Sequence, residues 1–202
     1  KFYKMTPEIL KLFPEAIFKY KFEDFENYNL KLKKYIYELQ KVDKEGIHKS
    51  NKGGWHSPPF NLKIADTIQQ KFALALKKYI LNTFQNLGWK TENKDVQIEM
   101  WAIINKENDF NLLHIHRNAF LSAAYYVQTP KNCGKFLTEH PNTAKTYHYP
   151  EIENHNELNA IAAGVEVSEG DLIIFPGYLP HKVPENKSNM DRIVISFNVN
   201  IK

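Results

Sequence analysis

Cysteine occurs once in the 202 residues, at Cys133, so an internal disulfide framework is excluded and no cluster of thiolates can hold zinc. That usage suits a reducing compartment. No apolar run approaches the ~18 consecutive residues of a membrane span. The N-terminal stretch KFYKMTPEILKLFPEAIF also lacks the basic start, apolar segment and small-residue cleavage site of a signal peptide. The chain is therefore expected to be cytoplasmic with no membrane partner; it begins at Lys1 rather than Met, as a trimmed chain would. Long blocks of like charge are missing too. The net charge is +4, but the lysines are dispersed, with short runs only at Lys31, Lys33, Lys34 and at Lys77, Lys78. These read as solvated helix faces, so a nucleic-acid partner is not supported. There is no internal repeat and no low-complexity linker, and nothing in the sequence speaks to oligomeric state.

What is present is enough apolar material for a core: 43% hydrophobic residues and 13% aromatic, in a length that suits one domain spanning 1–202. From about Glu23 to Gln40, Phe25, Leu32, Ile36 and Leu39 recur at helical spacing. A second series, Ile64, Ile68, Phe72, Leu76, Ile80 and Phe84, steps by four and closes at Gly88. Between the two, HKSNKGGWHSPPFN reads as an ordered loop.

After Thr91 the pattern changes to short apolar or alternating bursts: VQIEMWAII, AFLSAAYYVQ, GKFLTE, AIAAGVEV, DLIIFP and DRIVISFNVNI. Turn residues divide them and no crossover helix is expected after Gly88, so the strands should be antiparallel. The expected fold is mainly β. A jelly-roll core over 91–202 carries a mainly helical N-terminal layer, 1–90, packed on one sheet.

Within NLLHIHRN, His114 and His116 stand two apart beside a strand, a spacing that projects both side chains to one face. That is how a metal is gripped, although two half-exposed histidines near a strand end would look the same. A later strand of a jelly roll can return beside an early one, which would bring His181 to the pair. Three ligands on one face of an octahedral ion leave the opposite face open, as in non-haem Fe(II) oxygenases. Arg192 opens the otherwise apolar RIVISFNV, where it shares a face with Val194, Ser196 and Asn198. Facing inward it needs a carboxylate partner; facing outward it would pair with Asp191, Glu185 or Glu169.

Taken together, HxH, GDLIIFP, PH and RIVISFN, with SNKGGWHSP and SAAYYV upstream, resemble the 2-oxoglutarate/Fe(II)-dependent oxygenases of a bacterial and phage branch of the double-stranded β-helix dioxygenase superfamily. The resemblance runs from about Leu12 to the C-terminus. It implies that His114 and His181 ligate iron, that Arg192 binds the distal carboxylate of 2-oxoglutarate, and that Fe(II), 2-oxoglutarate and O2 are used to hydroxylate an unidentified small-molecule or peptidyl substrate. The wider superfamily carries Asp or Glu where this chain has His116, whereas the branch it resembles carries His-x-His. A neutral imidazole there leaves the metal centre one unit more positive, which favours an anionic cosubstrate. His116 is taken as the third ligand, the alternative being an outer role with Glu139 as ligand.

Ser196, Tyr126 and Ser122 are candidate donors to the cosubstrate, with Tyr126 otherwise a core residue. Asn111 and Asn118 either orient the histidines or make turns. GGWHSPP either closes over a mouth, with His56 touching substrate, or places Trp55 as a plug between helices and sheet. His48, His140, His148 and His155 lie in polar stretches and are expected to be exposed, while Phe175 and Pro176 should pack ahead of His181. Two further readings use the same residues: a three-histidine dioxygenase without 2-oxoglutarate, and a jelly-roll module that binds a structural ion or carbohydrate.

Overall fold

The computed structural model describes residues 6–92, 94–147 and 150–202. In chain order these form β1 (Phe18–Lys21), α1 (Phe25–Val42), β2 (Asn51–Lys52), β3 (Trp55–His56), α2 (Ile68–Asn86), β4 (Val96–Asn105), β5 (Phe110–His114) and β6 (Leu121–Gln128). There follow β7 (Phe136–Glu139), a single turn α3 (Ala144–Tyr147), β8 (Ala162–Val165), β9 (Asp171–Pro176), β10 (His181–Val183) and β11 (Arg192–Ile201). A six-stranded sheet has the order β1-β9-β6-β11-β4-β3 and a five-stranded sheet the order β2-β5-β10-β7-β8. Their pairings are antiparallel, as the absence of crossover helices predicts. This is the jelly roll, with α1 and α2 laid on the larger sheet.

Period-two alternation on β11 decides what each face does. Ile193, Ile195, Phe197 and Val199 join Leu32, Ile36, Phe72, Leu76, Ile80 and Phe84 of the helices in one apolar core. Arg192, Val194, Ser196 and Asn198 point the other way and line a cavity between the two sheets. A one-residue slip would exchange those two sets, so the buried helix–sheet face fixes the register on which the cavity depends.

The helices start later than the periodicity suggests. Asp24, with φ 53, forms the turn before α1, so that helix begins at Phe25. Ile64 is half exposed and lies ahead of α2, because Asp66 takes φ 62 and Thr67 is extended before Ile68. Gly88, at φ 68, follows the end of α2, as expected.

Three strands, β1, β2 and β3, come from the first ninety residues and were not anticipated; β2 and β3, at two residues each, are too short to display alternation, and β1 alternates in burial over only four. The GGWH loop supplies two of them. β2 pairs with β5 in one sheet and β3 with β4 in the other, so this loop ties the sheets together. Gly53 makes the passage possible, since a Cβ there would stand 1.8 Å from Asp109 Oδ1 and φ is 79. Trp55 is buried in the core with Nε1–H donating to the Asp43 carbonyl at 2.7 Å, and so fills the helix–sheet seam. His148 and the first five residues lie outside the described residues.

Candidate active site

His181 on β10 sits opposite His114 on β5, and the HIH motif leaves the strand immediately afterwards. His116 is therefore not in the strand that the i, i+2 spacing suggests. It lies in a turn held by its own N–H donating to the Gly177 carbonyl at 2.8 Å, with the Ala119 N–H donating to its carbonyl at 3.2 Å. The turn nonetheless brings all three rings together. One ligand atom from each of His114, His116 and His181 lies within 4.8 Å of the others, a grouping that could hold one metal ion.

Each ring is oriented through its other nitrogen. His114 Nδ1–H donates to the Leu112 carbonyl at 2.7 Å and His181 Nδ1–H to the Leu179 carbonyl at 2.9 Å. A carbonyl can only accept, so both rings carry the proton on Nδ1 and keep Nε2 as a lone pair. His116 Nδ1 meets Asn198 Oδ1 at 2.6 Å. Phe136 stacks on His181 and Phe175 meets its edge, which leaves that ring little freedom. Burial pushes the His181 imidazole down to about 3, with the neighbouring His114 adding to the shift, and pushes His116 down to about 4. His114 is lowered by the same cause. Three neutral imidazoles at neutral pH are a fitting donor set for a divalent first-row metal.

The same cavity, about 690 Å³, also receives Arg192. This guanidinium is 3% exposed; Nη1–H donates to Asn105 Oδ1 at 3.2 Å, and Nε has no hydrogen-bond partner among the described residues. The acids weighed as its surface partners are engaged elsewhere: Asp191 accepts from Tyr37, Glu185 pairs with Lys187, and Glu169 accepts from the Thr129 N–H. Arg192 lies 5.6 Å from the centre of the Tyr126 ring, whose fully buried hydroxyl is likewise unpartnered among the described residues. Burial pushes that phenol up to about 12 against the pull of the guanidinium, so it is an O–H donor. A buried cation and a buried O–H, both short of an acceptor, fit a carboxylate.

The other residues singled out from sequence divide. Ser196 lines the cavity. The Ser122 hydroxyl is turned to Asn198 Oδ1 at 2.9 Å and does not line it. Glu139 is engaged with Lys182 at 2.7 Å, outside the histidine cluster. His56 is buried at the cavity wall, its ring stacked on Trp101, which in turn stacks on His116. Trp101, Asn105 and Asn198 were not singled out. Asn198 was visible as a residue in phase with Arg192, whereas Asn105 is reached only through the β11–β4 register, where it pairs with Arg192.

A family model described as "Putative 2OG-Fe(II) oxygenase" matches residues 99–198, a span that contains all three histidines and Arg192. The chain belongs to the 2OG-Fe(II) oxygenases. It is accordingly an oxygenase dependent on Fe(II), 2-oxoglutarate and O2. The readings without 2-oxoglutarate, as a different dioxygenase or as a binding module, are thereby set aside.

Solved structures agree on the fold. A prolyl-4-hydroxylase from Pseudomonas putida superposes with a TM-score of 0.67 at 13% identity, over 92% of this chain and 92% of that one. HygX from Streptomyces hygroscopicus, with nickel and 2-oxoglutarate bound, gives 0.62 at 11% identity over 92% and 83%. A prolyl hydroxylase from Trichoplax adhaerens, in complex with a peptide fragment of the hypoxia inducible factor oxygen degradation domain, gives 0.63 at 10% over 92% and 83%. A search of curated proteins found no match.

Proposed function

We propose that this 2OG-Fe(II) oxygenase holds its iron through His114, His116 and His181, anchors the distal carboxylate of 2-oxoglutarate on Arg192 and Tyr126, and hydroxylates a peptide or small-molecule substrate. The observation that carries the reading is Arg192, buried in the histidine-lined cavity with Nε unpartnered among the described residues. A guanidinium left so costs several kcal/mol unless something anionic joins it. The cosubstrate carboxylate would take that place, receiving hydrogen bonds from Arg192 and from the Tyr126 hydroxyl.

Bound Fe(II) and 2-oxoglutarate supply the O2 chemistry. The protein's share is positioning. His114, His116 and His181 would hold the ion from one wall of the cavity, leaving room on it for cosubstrate and O2. Because all three are neutral, the ion keeps its full positive charge toward a dianionic cosubstrate. Val194, Phe136 and Phe175 line the cavity beside these groups and exclude water from them. Ser196, two residues from Asn198 on the same face of β11, offers a further hydroxyl donor toward the cosubstrate. Ser122 acts through Asn198 instead.

A substrate would approach over Trp101 and His56, whose stacked rings form one wall of the cavity. The prolyl hydroxylases named above act on prolyl groups and HygX has been seen with hygromycin B bound, so peptides and small molecules are the classes to test. Residues 1–90 and 91–202 would work as one domain, helical layer and jelly-roll core together. No helix among the described residues is long and apolar enough to cross a membrane; the cytoplasm is proposed as the place of work because a chain with a single cysteine suits a reducing compartment. The experiment is a screen of peptides and small molecules for succinate formation coupled to O2 uptake. The wild type should turn over at least one candidate and Arg192→Ala should need far more 2-oxoglutarate; equal demand for 2-oxoglutarate in both proteins would overturn the anchor.

A further inference from the structure

Two of the three cluster histidines are oriented by backbone carbonyls, and the third is not. His116 hands its Nδ1–H to a side chain, Asn198 Oδ1, at 2.6 Å. Asn198 is itself held, because the Ser122 hydroxyl donates to the same oxygen at 2.9 Å. The two are direct cross-strand partners in the β11–β6 register, and Ser122 is fully buried. An amide can present either its oxygen or its NH2 to a neighbour, and the two choices impose opposite tautomers on an imidazole. In the structure the amide oxygen of Asn198 faces both partners, so the Ser122 hydroxyl donates to it and the His116 Nδ1 must carry a proton to do the same.

We infer that Asn198, locked by Ser122, is the positioning residue that makes His116 a ligand: it fixes the ring as the Nδ1–H tautomer and so leaves Nε2 as a lone pair toward His114 and His181. This inference rests on the three-histidine metal site proposed above. The arrangement matters because His116 sits in a turn after β5 and lacks the strand pairing that constrains His114 and His181. Trp101 stacks on its face with ring centroids 5.9 Å apart and an interplanar angle of 18°, which sets the plane of the ring but not which nitrogen carries the proton. Among the described residues only the Asn198 contact makes that choice. β11 thus serves both halves of the site: Arg192 enters the cavity at one end of its inward face, and Asn198, in phase with it, steers a ligand at the other.

The test uses apoprotein with Co(II) alone, and reads side-chain 15N chemical shifts together with calorimetric affinity. In the wild type the His116 nitrogens should report a protonated Nδ1 and an unprotonated Nε2 before any metal is added. Asn198→Leu removes the acceptor without adding charge. It should scramble the His116 tautomer and weaken Co(II) about 10–100-fold, the range for residues that orient ligands. Asn198→Asp keeps an acceptor oxygen and should restore both the tautomer and most of the affinity. Ser122→Ala frees the amide to rotate and should fall between the wild type and Asn198→Leu; it also decides the question if the leucine variant does not fold. Wild-type tautomer and affinity in Asn198→Leu, or in Ser122→Ala where that stands in for it, overturn the inference. His114→Ala and His181→Ala run as controls. If they lose Co(II) while Asn198→Leu keeps it, only the steering role falls. If they keep it, the metal site itself is wrong.

Discussion

His181 stands opposite His114 in the antiparallel register of β10 and β5, with ring centroids 4.3 Å apart, and this pairing joins two histidines far separated in the chain. His114 is half buried at the cavity, whereas His181 is buried against Phe136 and Phe175 of the smaller apolar cluster. His114→Ala and His181→Ala should both lose metal binding by several kcal/mol while the apoprotein keeps its circular dichroism, with the unfolding midpoint unchanged in His114→Ala and lowered in His181→Ala by the space left against Phe136 and Phe175. His116→Ala should match them. A loss of only ~10–100-fold for His116→Ala would instead mark that ring as an orienting residue rather than a ligand.

Arg192→Ala removes a buried, charge-assisted contact. It should cost about 2–5 kcal/mol of 2-oxoglutarate binding, read as a rise in the apparent KM for 2-oxoglutarate with little change in metal affinity. Tyr126→Phe removes one neutral donor and should cost about 1 kcal/mol on the same measurement.

Gly177 lies against the turn that carries His116. A Cβ there would meet the Ala119 carbonyl oxygen at 2.2 Å and the His116 carbonyl oxygen at 2.9 Å, both backbone atoms that cannot swing away. Gly177→Ala should destabilise the protein by about 2–4 kcal/mol and weaken metal binding with it. Gly88→Ala is the comparison. A Cβ at Gly88 meets nothing within 4 Å, so only its positive φ opposes the change, at about 1 kcal/mol with metal affinity untouched. Urea unfolding and metal titration of the two variants should separate them.

Asp171 pins β1 to β9. It is buried, which by itself would raise its pKa, yet Lys21, Ser168 and Lys19 together hold the carboxyl below its ordinary value of 3.8. A carboxylate depressed in the folded state contributes stability above the unfolded value and loses it as pH falls through the folded one. Asp171→Asn should thus cost about 1–3 kcal/mol at pH 7. The gap between variant and wild type should close as pH is lowered through and below about 4, which urea unfolding at several pH values will check.

Much of this site was legible in the sequence because it rests on local periodicity. Arg192, Val194, Ser196 and Asn198 share one strand face in any register that buries Ile193, Ile195 and Phe197, and the cavity lining follows from that alone. The expectation for Ser122 came from the same rule, which gives the face but not the hydrogen-bond partner; its hydroxyl is engaged by Asn198 Oδ1 and it is not among the residues that line the cavity. His116 illustrates the limit differently. Spacing suggested a strand, whereas contacts from Gly177 and Ala119 make a turn that still delivers the ring. Asn105 was out of reach, since its link to Arg192 exists only through pairing of β4 with β11. The short strands β2 and β3 were hidden for a related reason: two residues show no alternation, and the pairing that defines them is entirely long-range.

The central claim is that one cavity holds iron on three histidines and 2-oxoglutarate on Arg192. Anaerobic titration of the apoprotein with Fe(II) and 2-oxoglutarate, followed by visible absorption, tests both halves together. The wild type should develop a weak charge-transfer band saturating at one iron per chain, Arg192→Ala should develop it only at much higher 2-oxoglutarate, and His114→Ala should not develop it. Absence of the band from the wild type at saturating ligand, or its undiminished appearance in His114→Ala, would contradict the account.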